Sequence, residues 1–246
     1  MKQQLEGINE KIKRANECIC NLDREINSFF SDSKYPVIPN QDDQMFKVVA
    51  DYHLDRPIPL RFSVLAGEIV HHLRSCYDHL IWHFSDASYR NTHCNLIEFP
   101  VFDVKPVSKD ELPRYERKIK GVSNAQVKAL IQAFQPYNVP PPRESPLFII
   151  HNMDRFDKHR ELVIVFPALA RKLGAKAFRA LMNYEKAKSP GTRIEYDRAV
   201  NVDSEITPHV AFRPFGEREY VSVVPALQEL TDYTGLVVEA FEKFVK

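Results

Sequence analysis

The chain lacks the signatures that would place it in an enzyme class at once. Its seven glycines are scattered singly, so no glycine-rich loop can cradle a nucleotide phosphate on its backbone N–H groups. No G-x-S-x-G elbow and no C-x-x-C pair occurs. Those absences argue against nucleotide dehydrogenases, serine hydrolases and zinc ribbons. The four cysteines, Cys18, Cys20, Cys76 and Cys94, are too few for a disulfide scaffold in 246 residues. Cys18 and Cys20 stand two apart on an expected helix and point apart, so reduced, cytosolic thiols are the expectation. No run of about 18 apolar residues exists, and no membrane-spanning helix is expected. The opening MKQQLEGINEKIKRANE has no apolar signal-peptide core, which also favours the cytoplasm. Charge of one sign is missing too: 34 basic and 33 acidic residues leave a net charge of +1. No global field draws the chain to nucleic acid or to an anionic membrane, so such binding needs a local patch.

What is present is globular in character. A composition 44% hydrophobic and 27% charged excludes disorder of the whole chain, and the length suffices for a substantial core in one large domain. Leu5, Ile8, Ile12, Ala15, Ile19, Leu22, Ile26 and Phe29 alternate three and four apart. That is an a/d seam and predicts one long amphipathic helix over about 3–30. Its partner is expected at the other end. Pro225 fits a first helical turn, and Leu227, Leu230, Thr234, Val237, Phe241 and Phe244 repeat the same spacing. Two matching seams suggest a helical bundle closed within the chain, with a second subunit as the alternative partner.

Between these ends the pattern is mixed. Residues 31–43 read as a loop, and 46–54 as a strand ended by Pro57 and Pro59. Leu65, Ile69, Leu73, Cys76, Leu80 and Phe84 give a central helix, about 61–85, its buried stripe. Residues 91–107 read as an extended connector. Ser108 with Glu111 has capping-box spacing, and Ser123 is expected to open a helix to about Phe134. Gln135 to Pro146 holds five prolines and reads as a stiff loop, followed by a helix over LFIIHNMDRFDKHR. Strands are expected at 162–166, 192–200 and 207–213, and a helix at 168–188. The fold class is therefore α+β, mainly α, a single domain over 1–246 in which a helical bundle carries a small sheet.

The chemistry concentrates on GEIVHHLRSCYDHLIWH, Gly67 to His83. Arg74 and His79 are five apart, about 140° round a helix, so they flank a face. Arg is a permanently charged fork suited to phosphate, and His exchanges protons near neutrality. Metal-free RNA cleavage needs both: one group moves a proton, the other stabilises the phosphorane. Arg74 and Asp78 also stand i, i+4 and equally suit a helix ion pair. His72, Cys76, His79 and His83 share one face, where a metal is a further alternative. The helix has no Glu placed between two histidines as in zinc proteases, however, and part of the face is apolar.

Two more groups stand out. HNMDRFDKHR, His151 to Arg160, packs Asp154, Asp157, Lys158 and His159 into a short stretch. Asp154 and Lys158 are spaced for an ion pair, and the late basic residues suit a helix C-terminus. The functional reading makes this stretch a second cleft wall, with an Asp orienting His79. Lys172, Lys176, Arg179 and Lys186 follow helical spacing and could track an RNA backbone or simply face solvent.

R-S-C-Y-D-H, Arg74 to His79, resembles the R-x4-6-H signature of the HEPN superfamily. The resemblance implies a helical bundle and a metal-independent endoribonuclease, of the kind that serves as a toxin or in antiviral defence. It implies catalysis by Arg74 and His79 with Asp78 fixing the geometry, and support from His72, His83, Asp154, Asp157 and His159. It also implies a homodimer, RNA as partner, a regulatory partner such as an antitoxin, and no cofactor. A wider string resembles a group of uncharacterised bacterial proteins: the stretch from Gly67, Phe99–Pro100, Gln135 to Tyr137, and Asp157 to Arg160. The bottom-up alternative is a non-catalytic helical interaction or ligand-binding protein.

Overall fold

A computed structural model of the chain describes residues 2–31, 40–42, 45–47, 57–159, 165–172, 205–212 and 221–245. It is mainly helical. The a/d seam at the N-terminus becomes α1, Lys2–Ser31. The central apolar stripe becomes α2, Leu60–Phe84, and the C-terminal seam becomes α7, Val223–Glu242, with Pro225 in its first turn. The register follows from the contacts. Phe29 meets Phe62 edge-on, ring centroids 5.8 Å apart, while Cys76 Sγ lies 3.8 Å from the Ile8 carbonyl, so α1 and α2 run antiparallel. Tyr77 bonds Thr234 across the core at 3.1 Å and Phe84 packs on Phe241, so α7 runs parallel to α2. Every α1 seam residue except Ile12 is buried, as are Leu227, Leu230, Thr234, Val237 and Phe241. Both seams thus close on α2 and on each other inside one chain.

Between α2 and α7 the chain wraps the bundle. α3 (Ala87–His93) and a 3-10 turn (Cys94–Leu96) follow α2. Part of the expected extended connector is therefore helical, and extended backbone begins only at Ile97. α4 is Glu111–Ile119. Ser108 Oγ accepts from the Glu111 N–H and donates to the Glu111 carboxylate, both at 3.1 Å, a variant of the capping box. α5 is Ala125–Ala133. Its cap is Asn124, whose Oδ1 accepts from the N–H groups of Gln126 and Val127, whereas Ser123 donates to Asp86. The proline-rich stretch holds two short 3-10 turns, Pro136–Asn138 and Pro142–Glu144. α6, Pro146–His159, then packs along α2.

Two short strands, β1 (Asn40–Asp42) and β2 (Met45–Lys47), pair with each other. The first lies where a loop was expected; residues 48–54 lie outside the described residues. β3 (Val165–Lys172) pairs antiparallel with β4 (Glu205–Phe212), and β4 with β5 (Val221–Ser222). The helix expected from Ala168 is thus overturned at its start. Residues 168–172 are good helix formers, but eight paired residues of β4 override that local preference. The expected strand at 192–200 lies outside the described residues. Val210 and Phe212 of β4 are buried with the helical core. All four cysteines are free. Among the described residues no helix is long and apolar enough to cross a membrane.

Candidate functional site

Four positions of α2, Gly67, His71, Arg74 and Asp78, recur at helical spacing and form one stripe. The stripe faces α6 in antiparallel register. A Cβ on Gly67 would sit 2.6 Å from Asp157 Oδ1, so the absent side chain makes room for that carboxylate. One turn on, His71 Nδ1 lies 2.9 Å from Asp154 Oδ1. A further turn on, Arg74 is the charge that most strongly disfavours a proton on His151. The result is a polar seam between the two helices.

Arg74 ends in a clasp. Its side chain is only 4% exposed. Nη1 donates to Asp78 Oδ1 at 2.7 Å, and Nη2 donates to Glu98 Oε1 at 3.2 Å and to the Phe99 carbonyl at 3.1 Å. Asp78 Oδ1 also accepts from the Phe99 N–H at 2.9 Å. The pair therefore satisfies both backbone groups of Phe99, whose ring is buried against Tyr77 and Phe241. Glu98 is held in turn by Lys118. Burial alone would raise the Glu98 carboxyl, but Lys118 and Arg74 pull it below its ordinary value. Burial raises the Asp78 carboxyl, partly offset by Arg74. His151 is pushed down to about 4 by burial and by Arg74, so it is neutral near pH 7.

The same logic extends to the flanking strings. Gln135 is fully buried; its Oε1 accepts from the Phe102 N–H at 3.1 Å, and its Nε2 donates to the Pro100 and Ile131 carbonyls. Arg74, Asp78 and Gln135 thus form one clamp around residues 99–102. An extended segment crossing helices has no ladder for its backbone groups, so side chains must supply partners.

Expected site residues divide between faces. His79 is exposed and lies across the helix from Arg74; burial, then Lys11, lowers its imidazole. Among the described residues of one chain the two groups thus lie on different sides of α2, as their separation of about 140° requires. Asp154 does not orient His79. It is buried and holds His71 on one oxygen and Lys158 on the other, the latter at 2.8 Å. An ionised carboxylate only accepts, so in this contact His71 Nδ1 is the donor. His71 was missed in the sequence, although it stands four after Gly67 and three before Arg74 on the stripe.

His72 is half-buried on the side facing α1, and its Nδ1 is buried without a hydrogen-bond partner among the described residues. Burial, then Lys11, lowers its imidazole. His83 lies a turn beyond His79, its ring edge-on to Phe84. His72 and His83 are about 16 Å apart along the axis, too far to share an ion. Among the described residues no group of three His, Cys, Asp or Glu could hold a metal. The side chain of His159 lies outside the described residues. Lys172 ends β3 rather than joining a helical stripe, and Lys176, Arg179 and Lys186 lie outside the described residues. No family model, no curated protein and no solved structure matches the chain.

Proposed function

We propose that the chain is a non-catalytic helical ligand-binding protein in which the R-x4-H string serves the fold. The observation that carries this reading is the Arg74 guanidinium, 4% exposed and committed to Asp78, Glu98 and the Phe99 carbonyl. A group that stabilises a phosphorane must reach the phosphate, and this one is enclosed and held at both terminal nitrogens by its own chain. The test is incubation of the purified protein with RNA in EDTA. The reading expects intact RNA and a lowered melting temperature for Arg74→Ala. RNA cut by the wild type and spared by a stably folded Arg74→Ala variant would refute it.

A second reading is metal-independent RNA cleavage by a HEPN-type protein through His79 alone of the pair. The exposed, neutral-leaning imidazole of His79 favours it, because a general base must be both open and unprotonated. That reading expects cleavage in EDTA that His79→Ala abolishes without a change in melting temperature.

A further inference from the structure

The outer side of α7 carries an open groove beside the start of α6. Its volume is about 550 Å³, within the range of small-molecule sites. The apolar part of its wall is stiff. Pro146, the first residue of α6, and Pro225, in the first turn of α7, both line it. Tyr233 lines it too, and Phe134 braces that ring at near right angles, centroids 6.5 Å apart. Leu236 completes the wall and is 64% exposed, whereas the other two leucines of α7 are buried. The polar lining is made of acceptors. Gln228 spends its Nε2 on Asn16 Oδ1 at 3.1 Å and on Asp232 Oδ1 at 2.9 Å, so its open atom is Oε1. Glu229 and the second oxygen of Asp232 have no hydrogen bond or ion pair among the described residues. No Lys, Arg or His lines the groove, and α7 from Val223 to Glu242 holds four acids and no basic residue.

We infer that this groove binds a small organic ammonium ion with an aromatic or aliphatic body. Charge complementarity selects the cation. Glu229 and Asp232 stand i, i+3, neighbours on the helix surface, and Gln228 is hydrogen-bonded to Asp232. An ammonium has three donors and no acceptor, which matches a lining of open oxygens. A carboxylate or phosphate ligand is repelled by the same groups. The apolar body lies on the two prolines, Tyr233 and Leu236, and takes the exposed leucine out of water. Size selects a small molecule over a protein. A stable protein interface takes about 800 Å² from each partner, and the apolar wall here is four side chains. This site rests on the ligand-binding reading and gives it a ligand class.

The test follows the backbone amide resonances of the whole chain by NMR while phenethylammonium chloride is added. The expected result is saturable shifts over Gln228 to Leu236, with binding that weakens as salt is raised. Neutral 2-phenylethanol should bind at least about fivefold more weakly, and the anion 3-phenylpropionate should not bind. Glu229→Gln, Asp232→Asn and Leu236→Gln should each weaken the amine about fivefold, while the control Glu239→Gln leaves it unchanged. All four positions are exposed, so each variant should melt with the wild type. Shifts that do not saturate, or 2-phenylethanol that binds as tightly as the amine, would overturn the site. So would octalysine that binds along α7 where the amine does not, since the groove would then serve a basic chain. None of these results touches the Arg74 clasp. RNA cleavage that requires a stably folded Arg74 would instead overturn the ligand-binding reading and leave amine binding standing.

Discussion

Truncating Arg74 to Ala removes a guanidinium that joins α2 to the segment at Phe99. Its partners would not suffer equally. Asp78 and Glu98 keep 39% and 43% of their side-chain surface, so both carboxylates can recover water. The Phe99 carbonyl loses its donor inside a fully buried residue. Breaking a wholly buried ion pair costs about 3–5 kcal/mol. With both acids partly wet and one carbonyl orphaned, roughly 3 kcal/mol is expected. At about 2–4 °C per kcal/mol for a chain of this size, the melting temperature should fall by about 6–12 °C. Lys offers a point charge rather than a fork and can reach one of the three acceptors well, so Arg74→Lys should recover about half of the loss. Thermal unfolding followed by circular dichroism measures both. An Arg74→Ala protein that melts within about 2 °C of the wild type would refute the clasp and reopen a chemical role for the residue.

Acid should loosen the same seam. His151 takes a proton near pH 4 where an ordinary imidazole does so near 6.5. The unfolded chain therefore binds the proton first, so this stability is fully present above about pH 6.5 and is lost as pH falls toward 4. The loss amounts to roughly 3 kcal/mol, and urea midpoints of the wild type should slope across that window while those of His151→Gln run flatter. Gly67→Ala should push the Asp157 carboxylate from its place and cost about 1–2 kcal/mol, read as a lower urea midpoint, and a midpoint equal to the wild type's would show that Asp157 swings aside freely. Gln135→Ala orphans the Phe102 N–H and two carbonyls in the core and should cost about 2–3 kcal/mol, measured in the same way; Gln135→Glu should not rescue it, because an ionised carboxylate cannot donate to the carbonyls.

The helices were legible because their signals are local. The alternation of three and four over α1 and α7 states which side is buried, and Arg74 with Asp78 at i, i+4 states an ion pair that the structure contains. The partners that decide what the ion pair is for are far away in sequence. Glu98 and Phe99 arrive from a connector with no periodicity, and Asp154 reaches His71 across 83 positions. No composition or spacing rule links such residues. The later part of β3, from Ala168, failed for the same reason. Ala168 to Lys172 suits a helix taken alone, and only the pairing with residues 205–209, which sets Lys172 opposite Glu205, selects the strand. Of the wider string, Arg74, Asp78, Phe99, Pro100 and Gln135 meet in one clamp, while Gly67 makes room for Asp157 further along α2.

Why the short motif divided its two residues follows from helix geometry. α2 is covered by α1, α6 and α7, so most of its circumference is inside and only narrow strips reach water. Arg74 falls on the strip of Gly67, His71 and Asp78, which α6 covers, and at its position the side chain can only end in a buried network. Five residues on is about 140° of rotation, which carries His79 out of that seam to the strip of His72 on the α1 side. Seven residues from Arg74 the strip reaches Ile81, fully buried. Seven residues from His72 it reaches His79, in solvent. Within a single copy, an Arg and a His at this spacing reach one phosphate most readily where no second helix covers the Arg face. Here α6 is present, so Arg74 is enclosed in its seam, while the imidazole of His79 opens on the α1 side.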